Sequence, residues 1–232
     1  MDPRASKRAD RVFFHAMAIV SLAIVVAGFG RAYFFKGMFT TRLPTPLVDV
    51  HAGIMTAWIA LQAIQPVLVA VRRVRWHRQL GLGGIVVACL VPPLALLTVI
   101  GQVRRHKWEP PVLAVDVAFS AVAAVDFAVL AWLGLRARVR DLSAHKRLMM
   151  LATVSMLGPA LGRLPFVTSI PAYYGTLAGI LVAALAYDLV ALRRVHRATM
   201  LGVAVIAGSQ LAAEVFSRFD VSTQLVVWMQ RV

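Results

Sequence analysis

Seven apolar runs of bilayer length, separated by short loops rich in arginine, limit this chain to very few folds. The runs cover residues 12–35, 51–71, 82–102, 112–135, 147–164, 172–192 and 199–217. A hydrocarbon core roughly 30 Å thick is crossed by about 20 helical residues. Within it every backbone N–H and C=O must be satisfied by the segment itself, which leaves helices. The expected fold is therefore all-α, a polytopic transmembrane bundle of about seven spans. Residues 1–232 form one integral membrane domain, with 218–232 a short amphipathic tail. The apolar content of 60% and mean hydropathy of +0.76 agree, since soluble domains hold roughly 45–50% apolar residues.

The net charge of +15 would suggest a nucleic-acid partner in a soluble protein, but its placement points to topology. With the N-terminus in the cytoplasm, the inner segments hold Arg4, Lys7, Arg8, Arg11, Arg72, Arg73, Arg75 and Arg78. They also hold Arg136, Arg138, Arg140, Lys146, Arg147, Arg193, Arg194 and Arg197. That majority of the 25 lysines and arginines predicts N-in, C-out by the positive-inside bias. Their expected partner is anionic lipid at the cytoplasmic face, and nucleic acid is not expected. The basic N-terminus followed by VFFHAMAIVSLAIVVAGFG reads as an uncleaved signal-anchor that becomes the first helix, with a bacterial inner membrane as the expected location. One cysteine, Cys89, provides no intrachain disulfide or cysteine-based metal site.

The inner loops share a pattern: Arg73-Val-Arg-Trp-His77-Arg, Arg138-Val-Arg-Asp-Leu-Ser-Ala-His145-Lys-Arg, and Arg193-Arg-Val-His196-Arg. It suggests one leading helix plus three similar hairpins. Gly158/Gly162 and Gly175/Gly179 match GxxxG, which predicts close helix approach. In the tail, Phe219, Val226, Val227 and Trp228 are expected in the outer interface, with Asp220, Gln224 and Arg231 in water.

Helix 2 carries the most informative polar pattern. His51, Trp58, Gln62 and Gln65 fall at intervals of seven, four and three, so a helix stacks them in one stripe. Polar groups at that depth face the bundle interior and take partners. Asp126, near mid-bilayer on helix 4, is expected to pair with Gln62 or Gln65. Asp116, Arg31 and Arg163 fall at the depth of His51, so the stripe predicts a polar cavity open to the outer side. That cavity is lined by His51, Trp58, Gln62, Gln65, Asp116, Asp126, Arg31 and Arg163, and suits a small ligand or protons. Asp188, one turn from Arg193, is expected to pair with it, and Glu214 with Arg218. His77, His145 and His15 on the inner side are candidates for haem or a transition metal.

No HExxH, GxSxG, P-loop, cysteine cluster or nucleotide fingerprint occurs, which disfavours a hydrolase and leaves no assigned catalytic residue. Two further classes stay open: a redox protein carrying b-type haem or quinone, and an assembly partner of other membrane proteins. Oligomeric state is not encoded in any recognisable signal.

Gly28-Phe-Gly-Arg31-Ala-Tyr33, His51 with Trp58 and Gln65, His77-Arg-Gln-Leu-Gly81, His145-Lys-Arg-Leu-Met-Met-Leu-Ala-Thr153, Gly158-Pro-Ala and Arg163 together resemble a family of bacterial multi-pass membrane proteins. HKRLMMLAT is the most specific segment, and the resemblance covers most of the chain. It implies a membrane location and no established reaction. The layout is also loosely similar to membrane b-type cytochromes, whose facing-histidine pairs have no assigned equivalents here.

Overall fold

The computed structural model describes residues 3–35, 45–105 and 109–231, with the side chains of 3–7 and of Ala32 left aside. Lys36, Arg42, His106 and Lys107 therefore lie outside the described residues. Those residues form helices and no strands. The helices are α1 (Pro3–Phe29), α2 (Pro46–Ala70), α3 (Val74–Arg105), α4 (Pro110–Ala137), α5 (Leu142–Ser155), α6 (Gly158–Leu161), α7 (Ile170–Leu192), α8 (Arg197–Ser217) and α9 (Asp220–Arg231). A π-helical turn, Gly30–Phe34, closes α1. Six helices are long and apolar enough to cross a membrane: α1 from Arg8, then α2, α3, α4, α7 and α8.

Local chemistry sets the helix ends. Thr45, Asp141 and Ser169 accept backbone N–H bonds at the starts of α2, α5 and α7, supplying acceptors for donors that a first turn leaves orphaned. Proline at the first turn of α2, α4 and α7 removes one such donor outright.

The expected span at 147–164 is not one continuous helix. It begins as α5, ends at Ser155, and resumes only as the single turn α6. Pro159 accounts for the break: it has no N–H for the Ser155 carbonyl, and its ring presses on that oxygen. The chain tightens instead, with Met156 N–H bonding Thr153 O and Leu157 N–H bonding Val154 O, both at 3.1 Å. Pro66, Pro92 and Pro93 lie inside α2 and α3 without ending them.

The interrupted segment is the core. Every residue of α5 from Arg147 to Ser155 is buried except Met149, and the helix packs among α1, α2, α4 and α8. Two glycines permit this. A Cβ on Gly28 would collide with the Ala160 backbone, and one on Gly202 would sit 2.5 Å from Leu151 Cδ1. Of the GxxxG pairs, Gly158 lies under the Tyr173 hydroxyl, but Gly175 and Gly179 meet nothing within 4 Å. The second pair is thus not a packing seam within this chain.

The tail forms α9 across the C-terminal end of α3 and the N-terminal end of α4. Ser222, Val226 and Met229 are buried, the last two against Val103, Leu113 and Ala114. Val226 therefore faces protein rather than the interface, while Phe219 and Trp228 are exposed.

Candidate functional site

The stripe on α2 does not face one feature. Trp58 is its fixed point, only 2% exposed. Its indole Nε1–H donates to Thr153 Oγ1 at 3.2 Å, and its ring meets Phe127 edge-on at 4.8 Å. That ties α2 to α5 and α4 at mid-height and turns this face of α2 toward the interrupted segment.

His51 lies seven residues earlier on the same face, about 10 Å toward the N-terminal end of α2. Seven residues beyond Thr153 in the opposite direction bring the chain to α6, so His51 and α6 share a level. The His51 Nδ1 atom is buried and has no hydrogen-bond partner. Nearby in depth, Gln102 Nε2 on α3 donates to Asp116 Oδ2 at 2.5 Å. Asp116 also attracts the Arg163 guanidinium, whose Nη1 donates to Pro159 O at 2.5 Å and whose cation lies 4.9 Å from the Phe29 ring centre. Arg163 is exposed at the protein surface, as is Arg31 in the π-helical turn. The C-terminal ends of α1 and α3, the start of α4 and the residues after α6 thus bring together an acid, an amide and a guanidinium, on the same side of the Trp58 contact as the unsatisfied imidazole.

Asp126 is 4% exposed, but its partner is neither glutamine of α2. Ser209 Oγ on α8 donates to Asp126 Oδ2 at 2.5 Å. The reason is rotational: Phe127 turns to Trp58, so its neighbour points around α4 toward α8. One residue on, Gln210 Oε1 accepts from the Tyr173 hydroxyl at 3.3 Å. One turn further out, Glu214 accepts from the Tyr174 hydroxyl at 3.2 Å and from Arg218 at 2.7 Å, the expected i, i+4 pair. Gln62 is half-buried.

At the opposite end Gln65 turns its amide to His77, its nitrogen reaching the ring Nδ1 and lying 3.3 Å from the His77 carbonyl. His145 Nδ1 lies 2.8 Å from Gly134 O, and since a carbonyl only accepts, this nitrogen carries the proton. The His77 and His145 imidazoles are close enough to repel one another when charged. His15 belongs elsewhere, its Nδ1 donating to Arg11 O at 2.6 Å. Among the described residues no three His, Cys, Asp or Glu side chains converge as a metal site.

Sequence reasoning missed the densest network. Arg147, 1% exposed, donates through Nε and Nη2 to Asp188 Oδ1 at 3.0 and 2.5 Å and through Nη1 to Ser143 Oγ at 2.7 Å. Asp188, fully buried, takes the His196 backbone N–H at 3.0 Å on its other oxygen. This overturns the expected Asp188–Arg193 pair: Arg193 adopts a left-handed conformation as the C-cap of α7, φ 59°. Beside it Asp10 of α1 accepts from Lys146 and from the Tyr187 hydroxyl, and Phe13 stacks on Tyr187 at 3.9 Å. The available signal was the adjacency of a charge to the apolar run LMMLATVS, a position where a cation needs a buried counter-charge.

His196 caps α8, its Nδ1 accepting the Ala198 N–H at 3.1 Å. Burial, reinforced by the Arg147 cation, holds its pKa below the ordinary 6.5, in keeping with a nitrogen that must keep its lone pair.

No protein-family model, curated protein or solved structure matches the chain.

Proposed function

We propose that the chain is a multi-pass membrane protein that binds a small polar ligand or passes protons through a crevice in the outer half of its bundle. In this reading α5 and α6 make a seventh, interrupted crossing, the N-terminus is cytoplasmic, and the membrane is the bacterial inner membrane. The observation that carries it is the His51 Nδ1 atom, buried without a protein partner. A buried polar atom of this kind costs about 1–3 kcal/mol unless something satisfies it, and an interrupted helix at its level is where intramembrane sites tend to form. Asp116, Gln102 and Arg163 supply charge and donors of both kinds, and Arg31 adds a cation at the rim. The hydroxyls and amides of Tyr174, Tyr173, Gln210 and Ser209 lead from Glu214 at the surface to Asp126 at mid-depth, a series suited to proton exchange.

The test uses purified full-length protein in two arms. In liposomes carrying a trapped pH dye, an imposed potential is expected to drive proton entry that His51→Ala reduces by about tenfold, a loss of about 1.4 kcal/mol. In the second arm, native mass spectrometry looks for a co-purifying small polar molecule that His51→Ala loses. Flux equal to protein-free liposomes, together with no retained molecule, sinks the proposal.

A redox reading rests on a separate observation, the adjacency of His77 and His145, of which His145 donates Nδ1–H to Gly134 O and so keeps a lone pair on Nε2. Metal-binding imidazoles are often oriented through their second nitrogen in this way. A b-type haem bound there predicts a Soret band in protein expressed with excess haem, lost in His145→Ala, and a featureless spectrum removes the reading.

A further inference from the structure

We propose that the recess between the first turns of α1 and the last turn of α2 is a binding site for a phosphoryl group, that of an anionic membrane lipid. The site is independent of the crevice at the other end. The recess is shallow and wide open, has a volume of about 410 Å³ and is lined by Arg8, Arg11, Val12, His15 and Ala70. Arg8, Arg11 and His15 stand at i, i+3 and i+7, so one face of α1 aims all three into the same groove.

The opposite face of α1 shows that this arrangement is fixed. Asp10 is held there by Lys146 and Tyr187, and Phe13 is stacked on Tyr187. Asp10 is therefore turned away from the two arginines, and among the described residues no carboxylate lines the recess. His15 commits Nδ1–H to Arg11 O, which leaves Nε2 as an acceptor, suited to a headgroup hydroxyl rather than to a phosphoryl oxygen. Two guanidinium forks match the oxygens of a phosphate bidentately. Arg72 and Arg73 follow immediately from the end of α2 and add to the local positive potential.

The apolar surroundings favour a lipid over free phosphate. Val12 is 63% exposed inside the recess wall, Ile19 two turns along is 64% exposed, and Val69 and Val71 flank Ala70 at 50% and 58%. A headgroup among the arginines would leave acyl chains lying along these side chains, which free phosphate could not use.

The experiment is native mass spectrometry and lipid competition on the full-length protein in nanodiscs of phosphatidylcholine with added phosphatidylglycerol. Wild type is expected to retain one phosphatidylglycerol in preference to phosphatidylcholine. Arg8→Gln/Arg11→Gln is expected to weaken that retention by about tenfold or more, since it removes the charge-assisted hydrogen bonds of both forks. Arg8→Lys/Arg11→Lys, which keeps the charge and removes the forks, is expected to fall between. Arg138→Gln/Arg140→Gln removes the same charge elsewhere and should change retention less than about twofold, within ordinary surface effects. Equal loss in both glutamine pairs overturns the site in favour of diffuse attraction. Displacement of the lipid by millimolar inorganic phosphate overturns the lipid assignment in favour of a soluble phosphate. Should the glutamine pair fail to fold, His15→Ala with unchanged retention, together with full retention in the lysine pair, overturns the site.

Discussion

Two charged side chains near one end of this bundle are buried from their surroundings, and they depend on each other. Arg147 and Asp188 are each at most 1% exposed and share two hydrogen bonds. Removing one partner strands the other, which costs about 3–5 kcal/mol, whereas replacing both with apolar residues of similar volume is often close to neutral. Arg147→Met and Asp188→Leu are each expected to lower the unfolding midpoint in detergent sharply. The double variant should recover most of the loss, read as a coupling energy in a double-mutant cycle. His196 gives a pH dependence of known sign. Its folded pKa lies below the unfolded value, so its contribution is complete above about pH 6.5 and is lost as pH falls below that, because the unfolded chain takes the proton more readily. Thermal stability should therefore drop between about pH 7 and 5, and His196→Asn, which keeps a capping acceptor, should flatten that drop.

Among the elements, α5 lies at the centre because its second half, residues 148–155, is short and apolar on nearly every face. Helices exposed to lipid on one side need no such enclosure. The approach of α8 at Gly202 is a contact that tolerates no side chain, so Gly202→Leu is expected to overpack against Leu151 and destabilise by about 1–3 kcal/mol or more. Gly175→Leu, with open space around it, should be close to neutral, and unfolding in detergent compares the two. The helices themselves were legible in the sequence because length and apolarity are enough to mark a crossing. The α5 break was not, because proline inside a membrane helix is compatible with both outcomes: Pro66 is accommodated and Pro159 is not. The stripe on α2 was legible as a polar face, but its partners were not. Periodicity fixes which residues share a face and leaves open which neighbour each one meets, so Asp126 found Ser209 and Gln65 found His77.

For the molecule as a whole, the asymmetry of charge and the proposed seventh crossing by α5 and α6, added to the six helices long and apolar enough to span, make a definite topological prediction. With Cys89 replaced by serine and single cysteines placed at 140 and 224, a membrane-impermeant thiol reagent applied to intact cells is expected to label 224 and spare 140. The reverse pattern would invert the bundle and move the His51 crevice to the cytoplasmic side. Span boundaries alone assign Asp116 and Arg163 to one level, and the two charges lie near enough to interact. What lateral position each group takes required the packing of eight helices and the tail, and no pattern in one chain supplies it.

The enclosure of α5 also bears on the order in which the bundle can be made. Arg147 emerges from the ribosome 41 residues before Asp188, at the head of a segment too short to cross by itself. Until α7 arrives, that cation has no buried counter-charge and gains by staying in the headgroup region. The centre of the finished protein is thus among the last pieces to be drawn in, and a chain stopped before Ile170 would leave HKRLMMLAT at the membrane surface.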